Sequence, residues 1–165
     1  MSYLVDGNNL MGQRVGWHKD KAGARRRLLG DLARFARAAR VSLAVVFDGA
    51  PDEHFPDGAS FMGVRVFYAA RGSDADERIK QMVDATRERR TLFVVTSDRA
   101  LGDYVRRSGV QVIRAGEFQK RMDEAATRTL NASIHDDPAN AMSDEELKKE
   151  MRYFGVAPED DEEQG

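Results

Sequence analysis

Apolar positions along this chain recur in two alternating periods. Five short runs, 3–6 ("YLVD"), 41–47 ("VSLAVVF"), 64–69 ("VRVFYA"), 91–96 ("TLFVVT") and 110–113 ("VQVI"), have the length and composition of strands. The second and fourth are almost continuously apolar or β-branched, the pattern of strands buried on both faces of a parallel sheet. Between the runs the period lengthens to that of a helix. Within 21–40, Leu28, Leu29, Leu32, Phe35, Ala36 and Ala39 share one face, and within 74–90 Ile79, Met82 and Val83 do. Segments 99–108 and 116–129 complete the helical set. Strands alternating with helices predict an α/β domain: a doubly wound parallel sheet of five strands with helices on both faces. The link 48–63 ("DGAPDEHFPDGASFMG"), with two prolines and three glycines, predicts a loop.

The pattern changes after Asn131. We expect residues 1–130 to form the α/β domain and 131–165 to form a linker, a short helix and an acidic, disordered tail. The helix is expected over 143–156, where Ser143 and Glu146 can form a capping box and Gly155 can end it. The tail "APEDDEEQG" is too polar to bury a core.

Composition narrows the class. The chain has 165 residues, the size of one ordinary domain, and 41% are hydrophobic, enough for a normal core. It has no cysteine, which rules out a disulfide framework and thiolate metal sites. No apolar run approaches the ~20 residues of a membrane span, and the first strand leaves no room for a signal peptide. A cytoplasmic protein with no membrane partner is the expectation. The net charge of −2 conceals an asymmetry: residues 135–165 carry a balance of −8, and the rest +6. A basic body suits a polyanionic partner, although charge runs are also ordinary solvated faces.

The acids provide the candidate chemistry. Functional groups of a doubly wound sheet gather at the carboxyl ends of its strands, and three of the five runs end on aspartate. These are Asp6, Asp48 ("VVFDG") and Asp98 ("VVTSDRAL"). Each alone could be a turn or cap residue. A fourth, Asp76 in "RGSDADERIKQMV", shares a helical stripe with Ile79 and Val83 and so leans toward the sheet, in a helix capped by Ser73 or Asp74. Converging carboxylates without cysteine or paired histidine form a hard oxygen set suited to Mg²⁺ or Mn²⁺. Such ions support phosphoryl transfer to water. The glycines of "GNNLMG" match neither a P-loop nor a dinucleotide fingerprint, and His18, His54 and His135 are expected at the surface.

A basic surface accompanies the acids. Arg26, Arg27, Arg34 and Arg37 fall opposite the apolar stripe of 21–40, with Arg14, Lys19 and Lys21 before them; Arg71 and Arg99 flank the acids. Guanidinium forks match phosphate oxygens. Trp17 and Tyr68 could stack on bases, though Trp17 could equally fold over the sheet edge.

Taken in order and spacing, "LVDGNNLM", "VVFDG", "GSDADERIKQMV", "VVTSDRAL" and "GVQVIRAGEF" resemble the NYN branch of the PIN-like ribonucleases, and within it the YacP-like bacterial subgroup. The resemblance spans about residues 2–125. It implies strand order 3-2-1-4-5, Mg²⁺ or Mn²⁺ dependence and cleavage of RNA. Asp6, Asp76, Asp98 and Asn9 match the family's catalytic positions, and Asp48 its second-strand acid. Asp6, Asp76, Asp98 and Asp48 are thus implied as metal ligands. Some members act on messenger RNA at the ribosome, which makes both candidate partners. Many members have an aromatic residue where this chain has Asn8, so the contacts of that loop are expected to differ.

Three functions remain open on these grounds. They are a metal-dependent endoribonuclease, a non-catalytic RNA-binding module of the same fold, and a small-molecule phosphohydrolase with Asp6 as nucleophile. The last normally needs a second acid two residues on, where this chain has Asn8.

Overall fold

The computed structural model describes residues 1–135. In chain order the elements are β1 (Ser2–Asp6), α1 (Gly7–Met11), α2 (Lys21–Ala39), β2 (Ser42–Phe47), β3 (Ser60–Phe61), β4 (Val64–Tyr68), α3 (Ala75–Ala85), β5 (Leu92–Val95), α4 (Arg99–Arg107), β6 (Gln111–Ile113) and α5 (Ala115–His135). Single 3₁₀ turns lie at Trp17–Lys19 and Arg89–Thr91. The chain divides into two units, Met1–Ala126 and Thr127–Gly165. The helix expected at 143–156 and the acidic tail lie outside the described residues.

Five strands run parallel in the order β4-β2-β1-β5-β6, which is 3-2-1-4-5 among the five predicted strands. The sheet has a sixth strand: β3 adds antiparallel to the outer edge of β4. This piece of the expected loop forms a two-residue hairpin, with Phe61 opposite Val64 and both Met62 (φ 48°) and Gly63 (φ 90°) left-handed. Two positive φ values match the right-handed twist of the flanking strands. Two residues are too few to show an alternating pattern, which is why the strand was not predicted.

Successive side chains of β1 point to opposite faces. Tyr3 and Val5 join the core beneath α1, α2 and α5, with Leu28, Leu32, Phe35, Phe118 and Met122. Leu4 joins the core beneath α3 and α4, with Ile79, Val83, Leu101 and Val105. Tyr3 anchors the first of these cores, its ring 5.8 Å from Phe35, 5.4 Å from Phe93 and 5.4 Å from Phe118. Each fully buried leucine or phenylalanine here contributes about 1.5–3 kcal/mol of transfer free energy.

Three predicted boundaries move. Ala39 is exposed, because α2 ends as Arg40 turns left-handed (φ 57°). Helix α3 stops at Ala85, not near residue 90, since Thr86 is extended. Helix α5 runs to His135, past the expected end at 129, because no glycine or proline interrupts the sequence until Pro138.

Helix α1 was not expected, and it explains Gly7. A Cβ at Gly7 would lie 2.5 Å from two ring carbons of the fully buried Phe47 and 3.0 Å from a methyl of Val45. The glycine is therefore needed for the close approach of α1 to β2. Gly7→Ala is expected to cost about 1–3 kcal/mol by overpacking, read as a lower denaturation midpoint. Gly12→Ala, whose new methyl meets nothing closer than 3.4 Å, should change stability by less than about 0.5 kcal/mol.

Candidate active site

Because the five strands are parallel, their carboxyl ends share one edge. Asp6 closes β1, Asp48 follows β2, Asp98 follows β5, and α3 begins beyond β4 with Asp76 in its first turn. Asp6 is 5% exposed. Its two oxygens accept the Thr96 hydroxyl at 3.1 Å and the Asn9 backbone N–H at 3.4 Å. Asp48 accepts the Ala75 N–H at 2.6 Å, which ties the end of β2 to the start of α3. Asp98 accepts the Leu101 N–H at 2.8 Å as the cap of α4, and its own N–H donates to Thr96 at 3.1 Å. The capping role and the shared edge thus coexist in one residue. Asp74, not Ser73, caps α3 by accepting the Glu77 N–H at 3.0 Å.

None of these four edge acids takes part in an ion pair among the described residues. Burial pushes the Asp6 carboxyl up from 3.8 to about 6; hydrogen bonds from Thr96 and Asn9 oppose the shift, and the charges of Asp76 and Asp48 add to it. Asp76 is raised too, first by burial, then by Asp98, Asp74 and Asp48. Asp76 and Asp48 are therefore within electrostatic reach of Asp6, and Asp98 and Asp48 within reach of Asp76.

Several residues that hold this edge together with Asn9 were not singled out from the sequence. Thr96 is 1% exposed and links Asp6 to Asp98. Asn8 accepts the Asp48 N–H at 2.8 Å, and Asn9 accepts the Ser97 N–H at 2.8 Å. The two asparagines fasten the turn after β1 to the strand ends on both sides. Ser97 in turn accepts the Ala115 N–H at 3.0 Å, placing the start of α5. Arg25 donates to the carbonyls of Asp48 and, at 3.1 Å, Ala50, and stacks over Phe47 and Tyr68. The one sequence signal was "NN" directly after a strand-ending acid, with Asn8 in place of the family's aromatic residue.

The basic residues are more dispersed. Arg26, Arg27, Arg34 and Arg37 are all exposed on α2. Eleven residues at 1.5 Å each put Arg37 about 16 Å along the axis from Arg26, away from the acid edge. Arg26 pairs with Asp52 at 3.4 Å and Arg34 with Asp31. Arg14 is largely enclosed, pairing with Asp31 at 2.7 Å and donating to Gln119 at 3.2 Å. Lys19, Arg71 and Arg99 are exposed, and the last two belong to the loops that carry the acids. Trp17 is half-buried against the α2 core, with the Lys21 ammonium 5.8 Å from its ring centre. Tyr68 is unavailable for base stacking: it is 2% exposed and its hydroxyl donates to the Phe55 carbonyl at 2.8 Å. His18 and His54 are exposed, as expected.

Among the described residues, no three acid or histidine side chains are close enough to enclose one metal ion as they stand. The donor set nevertheless fits Mg²⁺ or Mn²⁺. All its candidate donors are oxygens, one is buried with no cation facing it, and Mg²⁺ commonly keeps several waters while taking only one or two carboxylates.

The raised Asp6 value sets a pH dependence. An acid whose folded pKa exceeds its unfolded one destabilises the fold once ionised, by roughly 3 kcal/mol for about two units. The cost is complete above about pH 6 and gone below about pH 4. Asp6→Asn should therefore raise the melting temperature of metal-free protein by several degrees at pH 8, with the gain shrinking toward pH 4. An unchanged or lower melting temperature at pH 8 would contradict the assignment.

Comparison with known proteins agrees with this architecture. The family described as the YacP-like NYN domain matches residues 3–154. Two crystal structures of Rae1 (YacP) from Bacillus subtilis are similar. One has a TM-score of 0.66 and 24% identity, covering 94% of this chain and 95% of that one. The other, of a point mutant, has a TM-score of 0.68 and 21% identity, covering 88% and 89%. No curated protein matches the chain significantly. Among the described residues no helix is long and apolar enough to cross a membrane. The family match, which spans residues 3–154, establishes that the chain belongs to the YacP-like NYN domain family, a branch of the PIN-like nucleases.

Proposed function

We propose that this protein is a divalent-metal-dependent endoribonuclease that hydrolyses RNA phosphodiester bonds. The observation that carries the proposal is Asp6, a dry carboxylate facing no cation and repelled by further acids on the same edge. In this reading Asp6, Asp76 and Asp98 hold one or two Mg²⁺ or Mn²⁺ ions, with Asp48 beside them. When bound, the ions supply neutralisation of phosphate charge and a more acidic water nucleophile.

The chain's own residues do the rest. Thr96 and Asn9 fix the orientation of Asp6, so its oxygens are presented without reorganisation. Asn9 also holds the Ser97 backbone, which sets the position of Asp98. Arg71 and Arg99, on loops flanking the acids, take the phosphate oxygens of the strand on either side of the cut. Trp17 and the arginines of α2, with Lys19, receive the more distant backbone. Messenger RNA in a cytoplasmic, ribosome-associated setting is the substrate context that the family likeness favours.

A non-catalytic RNA-binding module would need these arginines but has no use for the buried acid. Cleavage of end-labelled RNA separates the two readings. The wild type should cut with Mn²⁺ or Mg²⁺ and stop on addition of EDTA, and Asp76→Asn should lose about a hundredfold or more while its circular dichroism spectrum is unchanged. RNA binding without metal-dependent cleavage by the wild type would favour the binding module, and full activity of Asp76→Asn would refute the proposed ligand set.

A further inference from the structure

Beside the acid edge lies a cavity of 360 Å³, within the range of small-ligand sites. One wall is Gly49, Ala50 and Pro51, which follow Asp48; the other is Ala69, Ala70 and Gly72, which lead to α3. Arg71 and Ser73 add polar groups to the lining. Arg71 has no partner among the described residues.

The walls are preorganised. Arg25 clamps the first through the carbonyls of Asp48 and Ala50, and its guanidinium is packed on Phe47 and Tyr68. The Ala69 N–H donates to the Phe47 carbonyl at 2.9 Å, which joins the walls at their base. Asp48 reaches across to the Ala75 N–H at 2.6 Å. On the second wall the Ser73 N–H closes a turn on the Ala70 carbonyl at 2.9 Å. A side chain on Gly49 would press on Arg25 at 3.1 Å, and its φ of +87° favours glycine independently.

We propose that this cavity is a nucleobase subsite that takes one base of the RNA strand next to the scissile phosphate and so sets the sequence preference of cleavage. The inference rests on the nuclease reading above. Two features favour a base over another ligand. Walls made mostly of methyl groups and peptide backbone leave room for a flat ring. The unpaired Arg71 at the same cavity can hold the phosphate of the inserted nucleotide or the base's carbonyl edge. Arg25 is then a positioning residue, acting through the loop it holds.

The test fills the cavity from either wall. Ala70 and Ala50 are exposed, so Ala70→Leu and Ala50→Leu should fold normally. Cleavage sites are mapped on a randomised RNA with Mn²⁺, and in parallel each protein is titrated with the four nucleoside 5′-monophosphates while backbone amide resonances are followed. The wild type should prefer one base at a fixed position beside the cut by about tenfold. Both leucine variants should still cut but with that preference largely levelled, and the amides of Gly49, Ala70 and Gly72 should shift only in the wild type. Cleavage without preference, or a preference that both variants retain, overturns the subsite and leaves the nuclease reading standing. If the wild type does not cut RNA, the nuclease reading fails and the titration decides. Shifts at those amides that are lost on filling the cavity support a nucleotide site, and their absence overturns it.

Discussion

A carboxylate held dry at the end of the central strand is the constraint around which this molecule is organised. Asp6 sits on β1, with β2 on one side and β5 on the other, so water reaches it only from the carboxyl edge. A neutral hydroxyl and one backbone N–H are its hydrogen-bond donors, and neither balances a full charge. Burial therefore dominates and raises its pKa. Such a group is tolerated where something is gained elsewhere, and a divalent cation is the partner that would relieve it.

That edge is braced by polar contacts rather than by packing. The parallel register brings the end of β1 level with the ends of β2 and β5, and the short side chains of Asn8 and Asn9 then reach the backbone beyond each neighbour. Thr96 connects two of the acids, and Asp48 reaches the first N–H of α3. Each bond is worth only about 1 kcal/mol. Their effect is geometric: three loops that would otherwise move separately are linked, and the acids they carry keep their spacing. Gly7 belongs to the same design, since only a residue without a Cβ lets α1 lie against Phe47 and keeps the asparagines within reach.

The basic residues follow a different logic. Arginines on α2 are spread along the helix and two of them, Arg26 and Arg34, are neutralised locally, so they make a diffuse field rather than a defined phosphate site. Arg71 and Arg99 are placed by the same loops that place the acids. Arg25, on the same helix, is committed to holding a loop.

Much of this was legible in the chain. Val45 to Phe47 and Val94 to Val95 are apolar without alternation, which marks strands covered on both sides, and the helical stripe of Leu28, Leu32 and Phe35 marks what covers one of them. Asp6, Asp48 and Asp98 could be placed on one edge because strand direction in a doubly wound sheet follows from the alternation of elements. The two-residue strand β3, the short helix α1 and the roles of Asn8, Thr96, Ser97 and Arg25 were not legible. Asp6 and Thr96 are 90 residues apart, Asn9 and Ser97 are 88, and Asn8 and Asp48 are 40. Hydrophobic period is a local property, so the longer strands and helices and their order along the chain could be read without the fold. Only the tertiary structure decided which carboxylate lost its water and which backbone groups hold it, because desolvation and hydrogen bonding depend on neighbours that the linear chain does not bring together.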